Sequence, residues 1–234
     1  MLTETMTHAE VYRELDRDRD TATTWWRHHL DTLRRPVLKA RQLPVIHWAD
    51  YTSPARRIRY LFFTRIFDRH MRRLLTGVAV PHRTPEGTAV YTSWLSDQRL
   101  ISPMVILPHA FKRYAERMGV LKTGTELVRY YFEHNVHGMD SHNQKVVGRS
   151  VRWNGEEHMS YCIPDGVMLG QKQGNIFIAR TFITYDMCTG LQQREFEDKR
   201  KDILSDKELF LRAREYYKGQ EYKCKPLPPV KEGH

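Results

Sequence analysis

Residues 101–119 hold the side chains whose types and spacing are best suited to chemistry. An apolar run ends at Leu107, Pro108 follows it, and Gly119 closes the segment. Proline favours the first turn of a helix and glycine the position just past its end, so the pattern predicts a strand followed by a short helix. At about 100° per residue, three polar side chains share one side of that helix and two basic ones flank them: His109, Arg113 and Glu116, with Lys112 and Arg117.

This combination could cleave RNA without a metal. Such cleavage needs a base for the 2′-hydroxyl proton, an acid for the leaving oxygen, and cations for the developing phosphorane charge. Histidine can fill either proton-transfer role, and arginine binds phosphate through two parallel hydrogen bonds. A facing strand would complete the site with one of two pairs, because side chains alternate along a strand: Thr181 with Tyr185, or Arg180 with Thr184. The alternative is an amphipathic helix whose basic side simply faces solvent.

The same residues support a resemblance to a known group of proteins. A strand, the pattern His-Ala-x-x-Arg-x-x-x-Arg, a second helix and a β-meander ending near Thr-x-x-x-Tyr resemble the toxin-like RelE and barnase–EndoU ribonuclease superfamily. The match covers about residues 100–186, under half of the chain, at these positions: His109-Ala110, Arg113, Arg117, Thr181 and Tyr185. The resemblance implies a four- or five-stranded antiparallel sheet, metal-free RNA cleavage, and a catalytic role for the matched His, Arg, Thr and Tyr residues.

The charge of the chain favours a polyanionic partner. The formal net charge is +10 and the sequence pI is about 9.6. Between residues 56 and 83 there are eight arginines and one acid, and such clustering attracts nucleic acid. The residues predicted to bind it, RNA in the first instance, are Arg56, Arg57, Arg59, Arg65, Arg69, Arg72, Arg73 and Lys112. A generic basic surface is the alternative interpretation.

The first 75 residues are predicted to form a helical, basic extension. Thr7 and Glu10 have capping-box spacing, and apolar residues then recur at helical intervals as far as residue 33. The charged run 17–20 suits an exposed helical surface. Trp25 and Trp26 are expected to pack in the core or against a protein partner. Residues 36–54 are interpreted as a surface connection, residues 56–67 as either strand or helix, and residues 68–75 as a helix.

The fold class predicted for the whole chain is α+β. The helical extension precedes a core at residues 76–190, which is predicted to be an antiparallel sheet with two helices packed on it. The second of these helices is predicted to begin with a capping box at Thr123 and Glu126. Strands are expected at residues 145–153, 157–163 and 176–185, separated by turns at 154–155 and 164–166. A C-terminal helical segment, residues 191–225, contains a helix opening at Ser205, and residues 226–234 are expected to be disordered.

Several classes of protein are disfavoured by the sequence. No apolar run approaches the roughly 18 residues of a membrane span, and the N-terminus does not have the features of a signal peptide. Three cysteines without metal-ligand spacing favour a reducing cytoplasm. His134, His137 and His142 lack an accompanying acid in a known metal motif, and the run GVMLG at 166–170 lacks the features of a nucleotide-binding loop. We therefore expect no metal and no cofactor.

The sequence thus predicts a cytoplasmic RNA-binding protein with metal-independent ribonuclease activity. One alternative is a non-catalytic module of a mobile element or phage that binds nucleic acid or protein. Another is a structural or assembly protein that uses its aromatic N-terminal helix as an interface. The oligomeric state and the target sequence stay open.

Overall fold

A computed structural model describes residues 2–96, 99–135, 138–141 and 157–218. The helices within these ranges are α1 His8–Thr32, α2 Arg34–Leu38, α3 Pro108–Met118, α4 Gly124–His134 and α5 Leu191–Lys218. The strands are β1 Val45–Thr52, β2 Arg59–Ile66, β3 Leu74–Thr84, β4 Gly87–Ser96, β5 Arg99–Ile106, β6 Met139–Ser141, β7 Glu157–Ile163, β8 Gly166–Gln173 and β9 Ile176–Ile183. The mixed α+β class is therefore confirmed.

One sheet contains all nine of these strands, in the order β1-β2-β3-β4-β5-β9-β8-β7-β6. Two antiparallel meanders, β1 to β5 and β6 to β9, meet where β5 pairs with β9 in parallel, Val105 opposite Ile178. A parallel pair requires a crossover connection, and the chain supplies one that contains α3 and α4. The sheet is therefore mixed rather than purely antiparallel, and it is wider than the four or five strands implied by the resemblance.

Helices cover both faces of the sheet because β2 is apolar on both sides. Tyr60, Phe62 and Ile66 pack in the cluster beneath α1. The alternate residues Leu61 and Phe63 pack in the cluster beneath α3 and α4. Strand alternation sends neighbouring side chains to opposite faces, so an apolar run in β2 requires a layer of helix on each side. The two predicted core helices, α3 and α4, supply one of these layers.

Helix α5 packs on the same face of the sheet as α1, over strands β7 and β8. Phe196 and Ile203 are buried there against Cys162, Val167 and Tyr185. The expected opening at Ser205 was wrong, because α5 begins at Leu191. Two buried apolar residues seven apart extend the amphipathic pattern before Ser205, and their tertiary contacts stabilise the earlier turns.

The prediction of a helical extension through residue 75 requires correction. Residues 45–52 and 59–66 are strands of the sheet, so the segment read as a surface connection contains β1. Residues 68–75 are not a helix, because the Asp68 carboxylate accepts backbone N–H groups from His70, Arg72 and Arg73 in a tight turn. An aspartate that binds its own following backbone competes with helix formation.

The long helix α1 begins as predicted. The Thr7 hydroxyl accepts the backbone N–H of Glu10 at 3.3 Å, and the Glu10 carboxylate accepts that of Thr7 at 2.8 Å. Trp26 is 2% exposed and Trp25 stacks on Tyr51 with ring centroids 4.6 Å apart, so both tryptophans pack within the chain. The second predicted capping box does not form, because Thr123 makes no side-chain hydrogen bond at the start of α4.

The charged run 17–20 was expected to be exposed, but one of its residues is buried. Asp18 is 2% exposed and accepts hydrogen bonds from the hydroxyls of Ser53 and Tyr60, both at 2.9 Å. These bonds join α1 to the β1–β2 hairpin. Charge alternation could not distinguish this aspartate from its solvated neighbours.

The turn at 164–166 and the strand at 157–163 are confirmed, and the strand expected at 176–185 ends at residue 183. Several predictions lie outside the described residues: the strand at 145–153, the turn at 154–155, His137, His142, Cys224 and the tail 226–234. Among the helices that are described, none is both long enough and apolar enough to cross a membrane.

Candidate nucleic-acid interface

The predicted His/Arg group does form on one side of α3. Ala110, Phe111 and Tyr114 bury the opposite side of the helix. The exposed His109 has its Nε2 3.4 Å from Nε of Arg113, and Arg113 also donates to Glu116 at 3.0 Å. The group exists as a surface feature of the helix.

Most of the positive charge in that group already has a partner. The Nζ of Lys112 lies 4.0 Å from a Glu116 oxygen, and Arg117 turns toward the sheet to donate to the backbone oxygen of Phe182. A guanidinium that satisfies a strand carbonyl is held against the protein. Arg117 therefore links α3 to β9, and Arg113 and Lys112 share one carboxylate.

Thr181 and Tyr185 do not join His109. Thr181 pairs with Leu169 while Ala179 pairs with Gly170, so Arg180 is an extra residue in a β-bulge. Because of the bulge, Ala179 and Phe182 both pack toward α3, and alternation then directs Thr181 to the opposite face.

Tyr185 lies beyond the end of β9, buried in the cluster beneath α5. Its hydroxyl donates to the Ile163 backbone oxygen at 2.7 Å, and burial raises the pKa of this phenol. The expected partnership of these two residues with α3 is therefore not seen, since regular alternation could not anticipate the bulge.

The run of arginines at residues 56–83 divides into two groups at opposite ends of β2. Arg59 and Arg65 are six residues apart, which in a strand is about 20 Å. In the first group, Arg56 pairs with Glu14 and Arg59 donates to Asp50 at 2.6 Å. Acids therefore match much of the charge at that end.

The second group meets residues from the end of α1 and from α2. Arg69 in the β2–β3 turn donates to the backbone oxygen of Ala40 at 3.2 Å, which ties the turn to the segment after α2. We call residues 27–41 and 65–73 together the basic end. Its nine Arg and Lys residues are Arg27, Arg34, Arg35, Lys39, Arg41, Arg65, Arg69, Arg72 and Arg73. All except Arg65, which is half-buried, are exposed.

Few acidic residues lie within the basic end. It contains two acids against nine Arg and Lys residues, a formal charge of +7. Asp31 pairs with Arg34 at 3.1 Å. Asp68 is occupied by three backbone N–H groups of its own turn. Both carboxylates are thus engaged locally, and the surrounding surface is strongly positive.

A groove of about 590 Å³ runs between the two segments of the basic end. Four apolar side chains and three arginines line it. The lining side chains are Leu30, Leu38, Met71 and Leu74, with Arg27, Arg34, Arg69, His70 and Asp31. Sequence reasoning missed the half of this surface that comes from residues 27–41, because those residues are distant in sequence from the arginine run and were interpreted only as helix and connection.

A pair of histidines holds the end of α1 on the sheet next to this surface. The Nε2 atoms of His29 and His47 are 3.0 Å apart, and the ring of Trp25 stacks on His29. Only one of the two Nε2 atoms can carry the proton in such a contact. Burial, and then the neighbouring His29, lower the pKa of His47.

The described side chains offer neither a metal centre nor a reactive thiol. No three His, Cys, Asp or Glu side chains among them converge as ligands. Cys162 and Cys188 are buried free thiols, and burial raises the pKa of Cys162 to about 12. A thiol with so high a pKa is a poor nucleophile at neutral pH.

No protein-family model matches the chain, and neither a curated protein nor a solved structure does so.

Proposed function

We propose that this protein binds nucleic acid through the phosphate backbone, at the basic end. The observation that carries the proposal is the basic end itself, where two distant segments together carry eight exposed Arg and Lys side chains, three of which line one groove. Clustered cations gain affinity for nucleic acid by releasing counterions from its phosphates. Arginine predominates in the cluster, and its planar fork matches phosphate oxygens.

The composition of the groove favours backbone contact over base reading. Arg27, Arg34 and Arg69 line it, and all three are exposed to an approaching phosphate. Backbone contacts fix position without reading sequence. The apolar side chains of the groove give base faces or sugars a surface to cover. RNA is the first ligand to test, since the resemblance of residues 100–186 suggests it.

The proposal is limited to binding. Metal-free cleavage would need a second proton-transfer group near His109, and Thr181 and Tyr185 are on the other side of the sheet. His109 also lies on α3, in the helical layer opposite α1 and the basic end. Ribonuclease activity stays a prediction of the sequence, and the cleavage assay described in the Discussion tests it.

Fluorescence anisotropy with a labelled 20-nucleotide RNA tests the proposal. The test variant reverses the three exposed charges that line the groove of the basic end, Arg27→Glu, Arg34→Glu and Arg69→Glu. The matched control reverses three exposed charges elsewhere, Arg13→Glu, Arg83→Glu and Lys201→Glu, with the same change in net charge. Far-UV circular dichroism and the melting temperature establish that both variants are folded.

We expect the test variant to lose about 50-fold in affinity at 0.15 M salt. Each phosphate contact to a single strand contributes about 0.7 to the log–log salt slope, and removing three contacts gives that loss. The control should lose only a few-fold, through the general field of the protein. Equal losses in the two variants would refute the basic end as the site, and no RNA binding by the wild type would refute the function.

A further inference from the structure

A second groove lies on the opposite face of the sheet from α1. It is bounded by α3, α4, the loop between them and the β3–β4 hairpin, and its volume is about 810 Å³. The hairpin packs closely on the start of α3, since a Cβ atom added to Gly87 would come within 3.3 Å of Pro108. Small-molecule sites in proteins are clefts of about 300–1,000 Å³.

The walls of this groove are mainly apolar. Phe111 comes from α3 and Leu127 and Val128 from α4, and all three are otherwise buried core residues. Leu121, on the loop at the rim, is 97% exposed. A leucine so exposed beside an apolar wall would gain by contact with an apolar molecule in the groove.

The charged groups at the rim are predominantly basic. Lys112 is 73% exposed, and the Nζ of Lys122 lies 5.5 Å from the centre of the Tyr130 ring. Glu116 is the one acid among the lining residues, and Arg113 at 3.0 Å and Lys112 at 4.0 Å share it. The basic groups beside this apolar cleft therefore outnumber the single carboxylate.

We propose that this groove binds a small amphiphilic carboxylate, with its apolar body along Phe111, Leu127 and Val128 and its anionic group near Lys112 and Lys122. The groove lies between two helices and a hairpin, and its volume of about 810 Å³ is in the range of small-molecule sites, which favours a compact ligand. The site is separate from the basic end, because α3 and α4 lie on one face of the sheet and α1 lies on the other.

Displacement of the fluorescent dye 1-anilinonaphthalene-8-sulfonate by dodecanoate tests this proposal on the full chain. Ala115 lines the groove, and Ala115→Trp should fill it and lower the affinity for dodecanoate at least tenfold. Ala55→Trp, at an exposed alanine in the β1–β2 turn, is the matched control and should leave the affinity unchanged.

A second pair of measurements separates the anionic end from the apolar body and does not depend on how tryptophan packs. The double variant Lys112→Ala, Lys122→Ala should weaken dodecanoate about fivefold, as expected for two exposed charge pairs, and leave dodecanol unchanged. Equal binding of the two ligands by the wild type would overturn the carboxylate assignment. Equal affinity of Ala115→Trp and the wild type for dodecanoate would overturn the proposed site. Displacement of the dye by an amphipathic peptide but not by dodecanoate would overturn the ligand class.

Discussion

Replacing Asp18 with alanine should loosen the attachment of α1 to the sheet, on which the position of residues 27–41 depends. The carboxylate is 2% exposed and accepts the hydroxyl hydrogens of Ser53 and Tyr60 at 2.9 Å. Arg56 Nε lies 3.9 Å away and completes the group. The variant removes both hydrogen bonds and leaves two buried hydroxyls without their acceptor.

The expected loss follows from these contacts. A hydrogen bond to a charged group contributes about 1.5–3 kcal/mol to stability. Two such bonds therefore predict a decrease of about 3 kcal/mol or more in the free energy of unfolding for Asp18→Ala. Asp16, two residues earlier, is 63% exposed and pairs with Arg19, so Asp16→Ala should lose no more than about 1 kcal/mol.

Urea denaturation followed by circular dichroism measures both values, with a double-mutant cycle through Tyr60→Phe. The two changes should not be additive, because Tyr60→Phe in the Asp18→Ala background removes a hydroxyl that has already lost its partner. Equal losses for Asp16→Ala and Asp18→Ala, or strict additivity in the cycle, would refute the view that this carboxylate anchors α1.

Three further predictions concern other parts of the molecule. The lowered pKa of His47 means that the folded state binds fewer protons than the unfolded state. The free energy of unfolding should therefore fall as the pH drops below about 6.5 and level off below the pKa of the folded state. His47→Gln should flatten that dependence in urea titrations at pH 5 to 8, and identical curves for variant and wild type would contradict this prediction. Gly170→Ala would bring a Cβ within 1.9 Å of the Ile178 oxygen and should lower the melting temperature more than Gly174→Ala, where no atom is within 4 Å and the cost comes only from the φ of +61°. Similar shifts would be inconsistent with the β8–β9 register. His109→Ala should bind RNA with an affinity within about twofold of that of the wild type. Wild type and variant should both leave end-labelled RNA intact in EDTA. Cleavage by the wild type that disappears in the variant would establish the ribonuclease function instead.

The sequence predicted the elements whose signals are local. The Thr7 and Glu10 capping box, the Pro108 and Gly119 boundaries of α3, and the turn at 164–166 all depend on neighbouring residues, and the structure has each of them. The spacing of His109 and Arg113 on α3 was also predictable, because helix geometry fixes it.

Features that depend on distant contacts were not predictable in the same way. The arginines of β2 appeared to be one cluster in the sequence, yet the strand separates them by about 20 Å. Residues 27–41 join the basic end through contacts that are distant in the sequence, among them the hydrogen bond from Arg69 in the β2–β3 turn to Ala40. The bulge at Arg180 reverses which face Thr181 occupies, and no local pattern announces it.

The aromatic helix α1 connects these findings. Its Trp25 and Trp26 pack on the sheet, its last turns carry Arg27, and it leads into α2, which begins at Arg34. The same helix thus packs on the sheet and positions one of the two segments of the proposed binding surface. A protein that binds through backbone phosphates at such a surface should show little sequence preference and a steep dependence on salt.

Photo-crosslinking of the full chain to an RNA containing 4-thiouridine, with the crosslinked peptides identified by mass spectrometry, tests the central claim most directly. The account predicts crosslinks in residues 27–41 and 65–73, and their loss on competition with unlabelled RNA. Crosslinks confined to residues 108–118, around His109, or to α5 would contradict it.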